Sequence, residues 1–450
     1  MGSKNKMSKR KNARNHVKEL KIDHLTKWLK GRFKGFSDIR GKNSSVELSD
    51  SLLSGFAMFS LKDPSLLFFN NKRPVRKENL KNVYKVGDAP PDSSMRTILD
   101  EVKIADFKGV FRGLVGLVRK AGIWKTYEYY QGHIICSIDG VHHFSSEKIK
   151  CSQCLKYEKK NGQVEYRHYM LSGAIVHPDK KEVLPVVHEA IIKQDGQRKN
   201  DCERNASKRL LPELRKQFKK EKMIVVEDAL GANGPHIKAL QKEDFRYVIG
   251  VKPDGNKYLF DLMDRLEEHG EVHRHEVKEG CLLHQFRYAN DLPVNSDNRD
   301  IRVNFLEYRQ IDPSGKKPDR LFSWITDFEL TKRNVYEVMR IGRSRWKIEN
   351  ETFNTLKNQG YNFEHNYGHG NNNLCTVLAL LMMLAFWVDQ IQQGWNDFFR
   401  AAWTKMQTKK ALWEEVRSKF NEFVVTSMEM IYLLIIGKLK VKYEFYKDSG

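Results

Sequence analysis

Cysteine is scarce in this chain: six among 450 residues, and scattered. That excludes the disulfide framework of a small secreted protein and fits a reducing, intracellular compartment. Long apolar runs are also missing. The longest, Leu374 to Val388, is shorter than a membrane span needs and runs into Asp389 and Gln390. It reads as the buried helix of a soluble protein, and no membrane partner is expected. The charged N-terminus lacks the apolar core of a secretory peptide, and Lys6 stands where a myristoylation pattern requires Ser or Thr. Acids are in deficit, 57 Asp and Glu against 79 Lys and Arg, for a formal net charge of +22. Such an excess attracts polyanions, with nucleic acid the first candidate and an anionic membrane surface the second.

The length accommodates roughly two to four domains. Residues 1–40 carry 13 Lys and Arg against 3 Asp and Glu, a balance of +10. Residues 1–16 read as a disordered basic tail. Helical patterns follow over Val17 to Phe36, Leu48 to Met58 and Arg96 to Val118, with a loop at Pro90 to Ser94. An all-α N-terminal domain over 17–125 is expected, its basic surface suited to phosphate contact. At His133 the period changes to that of a strand, ending on Asp139 with a turn or bulge at Gly140. Strands at Tyr166–Val176 and Val183–Ile192, a helix at Asn200–Lys220, a strand ending on Asp228, a helix and another strand make an α/β core. The first part of that core spans 126–270. Residues 271–320 alternate as a mostly antiparallel β insertion, 321–395 complete the core, and 396–450 form a helical C-terminal region.

Two apolar strands close on acids, Asp139 and Asp228. Strand ends of that kind line the usual crevice of an α/β domain. Between Ser344 and Lys357 a helical pattern stacks Glu349 one turn after Arg345, turns Lys357 to within about a quarter turn of Glu349, and sends Glu351 to the far side. Three carboxylates converging there would suit Mg²⁺, and two such ions serve phosphodiester chemistry. Taken singly, each acid also fits an ordinary cap or salt-bridge partner.

Asp139 in Ser-Ile-Asp-Gly, Asp228 in Val-Val-Glu-Asp-Ala-Leu and Glu349 in Arg-Trp-Lys-Ile-Glu resemble the acidic triad of bacterial insertion-sequence DDE transposases. The similar group carries a Tyr-Arg-Glu-Lys signature and a β-strand insertion. The acids lie 89 and 121 residues apart, the second interval long enough to hold the insertion. The resemblance implies an RNase H-like core with a mixed sheet and flanking helices. It implies end cleavage that frees a 3′-OH, then joining of that 3′-OH to target DNA, with Mg²⁺ as cofactor and Mn²⁺ able to substitute. Asp139, Asp228 and Glu349 would bind the metal, and Arg345 and Lys357 would grip phosphate. Trp324 is a candidate for stacking on a flipped base, with strand-core packing as the alternative. The signature tyrosine should stand three before Arg345, where this chain has Gly342. The lysine should stand seven after Glu349, where it has Leu356 and then Lys357.

Implied partners are the terminal inverted repeats, target DNA and a second copy of the chain, in the bacterial cytoplasm at the nucleoid. A DNA-binding protein without catalysis, or a nuclease without strand transfer, are the other readings. Cys151-Ser-Gln-Cys154 admits a zinc site completed by His168 and Cys202, unligated thiols, or a redox pair. His142 and His143 stand close after Asp139. Glu364, His365 and His369 fall in a loop to which the sequence assigns no chemistry.

Overall fold

The computed structural model describes residues 20–41, 44–193, 201–316 and 318–441. The basic tail expected over 1–16 lies outside them. The chain opens with helices α1 (Ile22–Phe33), α2 (Leu48–Ser60), α3 (Leu66–Tyr84), α4 (Asp92–Asp100) and α5 (Asp106–Lys120). The single helix expected over Arg96–Val118 is therefore two. α1 buries Leu25, Leu29 and Phe33 at steps of four, the signature of one apolar stripe. α3 begins on Ser65, whose hydroxyl accepts from the Phe68 N–H, and ends at Lys85 in the left-handed region.

The sheet begins with β1 (His133–Ser146), β2 (Leu155–Glu158), β3 (Val164–Val176) and β4 (Leu184–Ile191). β3 pairs antiparallel with β1, and on its other side with β2 and then β4. Contrary to the expected turn, β1 runs straight through Gly140, and its irregularity falls later, between His142 and Phe144. After α6 (Glu203–Gln217) come β5 (Lys222–Glu227), α7 (Gly234–Lys242) and β6 (Arg246–Gly250). β5 pairs parallel to β1, and β6 parallel to β5. Their burial on both faces explains why Met223–Val226 read as a continuous apolar run. This mixed sheet with flanking helices is consistent with an RNase H-like α/β fold.

Beyond α8 (Lys257–Glu268), strands β7 (His273–Glu279), β8 (Leu282–Pro293) and β9 (Arg302–Ile311) form an antiparallel run. It joins the sheet through β10 (Arg320–Thr326), which pairs with both β9 and β6. Helix α9 (Val335–Arg343) leads into a wide π turn, Ile348–Phe353, and the short α10 (Asn354–Asn358).

Helix α11 (Leu374–Trp395) is long and apolar enough to cross a membrane, but it is buried inside the protein. It packs against α2, α4 and β4, so one core joins the N-terminal helices to the sheet. Helices α12 (Asp397–Met406), α13 (Lys409–Glu422) and α14 (Met428–Ile436) close that core. Two buried ion pairs lock the helices together. Arg76 on α3 holds Asp63 through two bonds of 2.6 and 3.2 Å. Lys62 reaches Asp389 of α11 at 2.6 Å and lies against the rings of Tyr361 and Trp413.

Candidate active site

Parallel pairing sets the first two acids side by side. In the β1–β5 ladder Ser137 is opposite Val226. Asp139 and Asp228 each stand two residues further on, so they share one edge on neighbouring chains about 4.8 Å apart. Each carboxylate is oriented by backbone. Asp139 accepts from the Gly140 N–H at 2.9 Å, and Asp228 accepts from the Leu230 N–H at 2.9 Å.

A helix terminus delivers a further acid that the sequence reading missed. Glu203 is the first residue of α6, and its carboxylate lies where a Cβ on Gly140 would be. Glycine at 140 thus serves close approach, not a turn. Asp139, Glu203, Glu227, Asp228 and His236 line one open pocket. Glu227 is bonded to His236, whose pKa rises because that contact outweighs burial.

The turn after α9 completes the cluster. Ser137 donates its hydroxyl to the Arg345 carbonyl at 3.1 Å, pinning to β1 the turn that leads into the π segment. The Arg345 guanidinium then reaches Asp139 at 3.0 Å and Glu349 at 3.9 Å, so one cation bridges two carboxylates. Glu351 points elsewhere, into a pocket lined by Lys181, Lys409 and Lys410.

Like charges and burial dominate the electrostatics. The Asp139 carboxyl is pushed up to about 6, first by burial and then by Asp228 and Glu349, against the pull of Arg345. Glu203 is raised by burial and by Asp139, Asp228 and Glu227. Hard oxygen donors crowded beside a single bridging arginine fit a divalent cation of the Mg²⁺ type, which relieves that repulsion.

A model of the transposase DDE domain matches residues 153–387. The chain belongs to the DDE transposase family, of the insertion-sequence type. The matched span holds Asp228 and Glu349, whereas Asp139 precedes it on β1. No curated protein gives a match. Family membership makes this chain a transposase, and DNA binding and divalent-metal chemistry are general properties of the family.

The π turn alters the spacing inside the transposase. A π turn holds one more residue than an α turn. The eight steps from Glu349 to Lys357 therefore rotate about as far as seven α-helical steps, roughly 700°. Lys357 pairs with Glu364 at 2.8 Å, and Glu364 lies 3.7 Å from His142. His143 is buried, with neither ring nitrogen bonded.

Trp324 lies in the core, 5% exposed, stacked with Phe322 and Tyr308. Its indole fills the space above Gly342. A Cβ there would lie 2.5 Å from Cε2 and Nε1.

The cysteine pair meets a different fourth partner from the one expected. Cys151, Cys154 and His168 come together with His369. Cys202 is exposed and stands at the N-cap position of α6, where its side chain makes no capping bond. Zinc's preference for thiolate and imidazole suggested Cys202, whereas a loop 215 residues beyond Cys154 folds back to supply His369.

Proposed function

We propose that the transposase moves its element by cut-and-paste, with Asp139, Asp228 and Glu349 as the catalytic acids. The observation that carries this reading is the in-register pairing of β1 with β5, which leaves Asp139 beside Asp228, with Arg345 bridging Asp139 to Glu349. The three acids would hold two Mg²⁺ or Mn²⁺ ions, whose Lewis acidity activates the attacking oxygen and stabilises the leaving one. Glu203 lines the pocket that holds Asp139 and Asp228. Water attacks the phosphodiester at the element end and frees a 3′-OH. That 3′-OH then attacks a target phosphodiester, so one bond forms as one breaks.

Arg345 fixes two carboxylates and offers its remaining donors to phosphate. Lys357, in the rotational phase of the family's signature lysine, contacts phosphate after exchanging Glu364 for DNA. The N-terminal helices recognise the terminal inverted repeats, and two copies act across two ends, in the bacterial cytoplasm at the nucleoid. Because binding releases counterions from phosphate, it weakens steeply with salt.

The test is incubation of the purified protein with DNA carrying both element ends, with Mg²⁺ or with EDTA, beside Asp228→Asn. Metal-dependent nicking at the ends, lost in the variant, is the expected result. Salt-sensitive binding without cleavage under any divalent ion would replace this reading with a DNA-binding protein. Cleavage without joining would make it a nuclease.

A further inference from the structure

We propose that Cys151, Cys154, His168 and His369 form a structural zinc site that clips the segment following the Glu349 turn onto the edge of the sheet. The four donor atoms all lie within 4.8 Å of one another. Sγ of Cys151 and Sγ of Cys154 are 3.7 Å apart. Nε2 of His168 is 3.4 Å from the first sulfur and 3.3 Å from the second, and Nε2 of His369 is 3.3 Å from Cys154. A tetrahedron with zinc–sulfur bonds of about 2.3 Å and zinc–nitrogen bonds of about 2.0–2.1 Å has sulfurs about 3.8 Å apart and sulfur–nitrogen edges of about 3.5 Å. The four distances given above, 3.3–3.7 Å, match those edges. A disulfide would instead need the sulfurs at about 2.05 Å.

The surroundings fit a closed, structural site. Cys154, His168 and His369 are buried and Cys151 is half-buried. Phe144 lies against both imidazoles and screens them from water. The Nδ1–H of His369 donates to the Gly370 carbonyl at 2.9 Å, which leaves the Nε2 lone pair facing the sulfurs, as ligand histidines require. The backbone N–H of Cys151 points at the Cys154 sulfur at 3.4 Å. Two thiolates and two neutral imidazoles make a neutral site with zinc, so its burial carries no net charge.

The ligands come from three places: the loop after β1, strand β3, and the segment between α10 and α11. A metal here closes a long excursion of chain. Immediately after His369, the Asp100 carboxylate accepts the N–H groups of Asn371, Asn372, Asn373 and Leu374. Zinc and Asp100 thus hold both sides of Gly370 and set the height of the loop carrying Glu364, the partner of Lys357.

The test measures metal, not transposition. Protein purified under reducing conditions is assayed for zinc by mass spectrometry, then stripped and reloaded with Co²⁺. Expected are one zinc per chain, and for cobalt the strong visible bands of tetrahedral geometry with a thiolate charge-transfer band. Cys151→Ser and His369→Ala should lose the metal, while Cys202→Ser and Asp228→Asn keep it. In case the ligand variants fold poorly, chelation of the wild-type protein supplies a second readout. It should expose the 359–373 segment to protease, and zinc should restore protection. Absence of both bound zinc and a cobalt spectrum in folded, reduced protein would overturn the proposal. So would metal retained in His369→Ala but lost in Cys202→Ser.

Discussion

Arg345 stands 3.0 Å from Asp139 and 3.9 Å from Glu349, one guanidinium serving a strand and a helical turn. Its removal leaves two carboxylates without their common tether. Because it also removes a positive charge from beside two carboxylates, Arg345→Gln is expected to raise divalent-metal affinity at neutral pH by up to about tenfold. Titration of Mn²⁺ into wild type and variant checks this without DNA.

Protonation competes with the metal at Asp139. With the carboxyl pushed up to about 6, a proton must leave before a cation binds below that pH. Apparent affinity should be flat above pH about 7 and fall by up to about tenfold per unit below 6. Because Arg345 holds this pKa down, Arg345→Gln should shift the fall to higher pH. Affinities measured across pH 5–8 decide it.

The same shift predicts a gain in stability for the metal-free protein. A carboxyl whose folded pKa lies above its unfolded value contributes stability below the unfolded value, near 3.8, and loses it as pH rises through about 6. At pH 7.5, Asp139→Asn should therefore stabilise the metal-free fold by about 1–3 kcal/mol while abolishing cleavage. Denaturant melts in EDTA, beside a cleavage assay, read both effects.

Glu349 shares Arg345 with Asp139, whereas Glu351 faces lysines in another pocket. Glu349→Gln should abolish end cleavage, and Glu351→Gln should leave it near wild type. Loss of activity in the second variant alone would reassign the third acid.

Buried Lys62 has one carboxylate partner, Asp389, and two aromatic walls. Asp389→Ala strands that ammonium in the core and should cost about 3–5 kcal/mol. Chemical denaturation of the two proteins measures it.

Asp139 and Asp228 were legible as acids closing apolar runs, although β1 continues past Asp139 to Ser146, and a helical period aligned Arg345 with Glu349. Glu203 was not legible. That residue opens an ordinary basic helix, and only the closeness of α6 to Gly140 brings it to the pocket. His369 escaped for a similar reason, since its partners lie more than 200 residues away. Local pattern also joined α4 to α5 and carried one helix through the π turn, because periodicity registers apolar positions and not the breaks between them. Gly342 had no rationale in the sequence. It acquires one when Trp324, 18 residues earlier, is found occupying its side-chain space.

The π turn between Ile348 and Phe353 also bears on how such chains are compared. One added residue there lengthens the written interval from glutamate to lysine without rotating the lysine away. A pattern that insists on seven steps passes over this chain, although the rotation keeps Lys357 in phase with Glu349. Deleting a single residue within the bulge should let it relax to α-helix and keep Lys357 in phase. An insertion placed one turn later has no such refuge and would swing the lysine off the face of Glu349. The bulge thus takes up one residue of chain without turning Lys357 away from the face of Glu349.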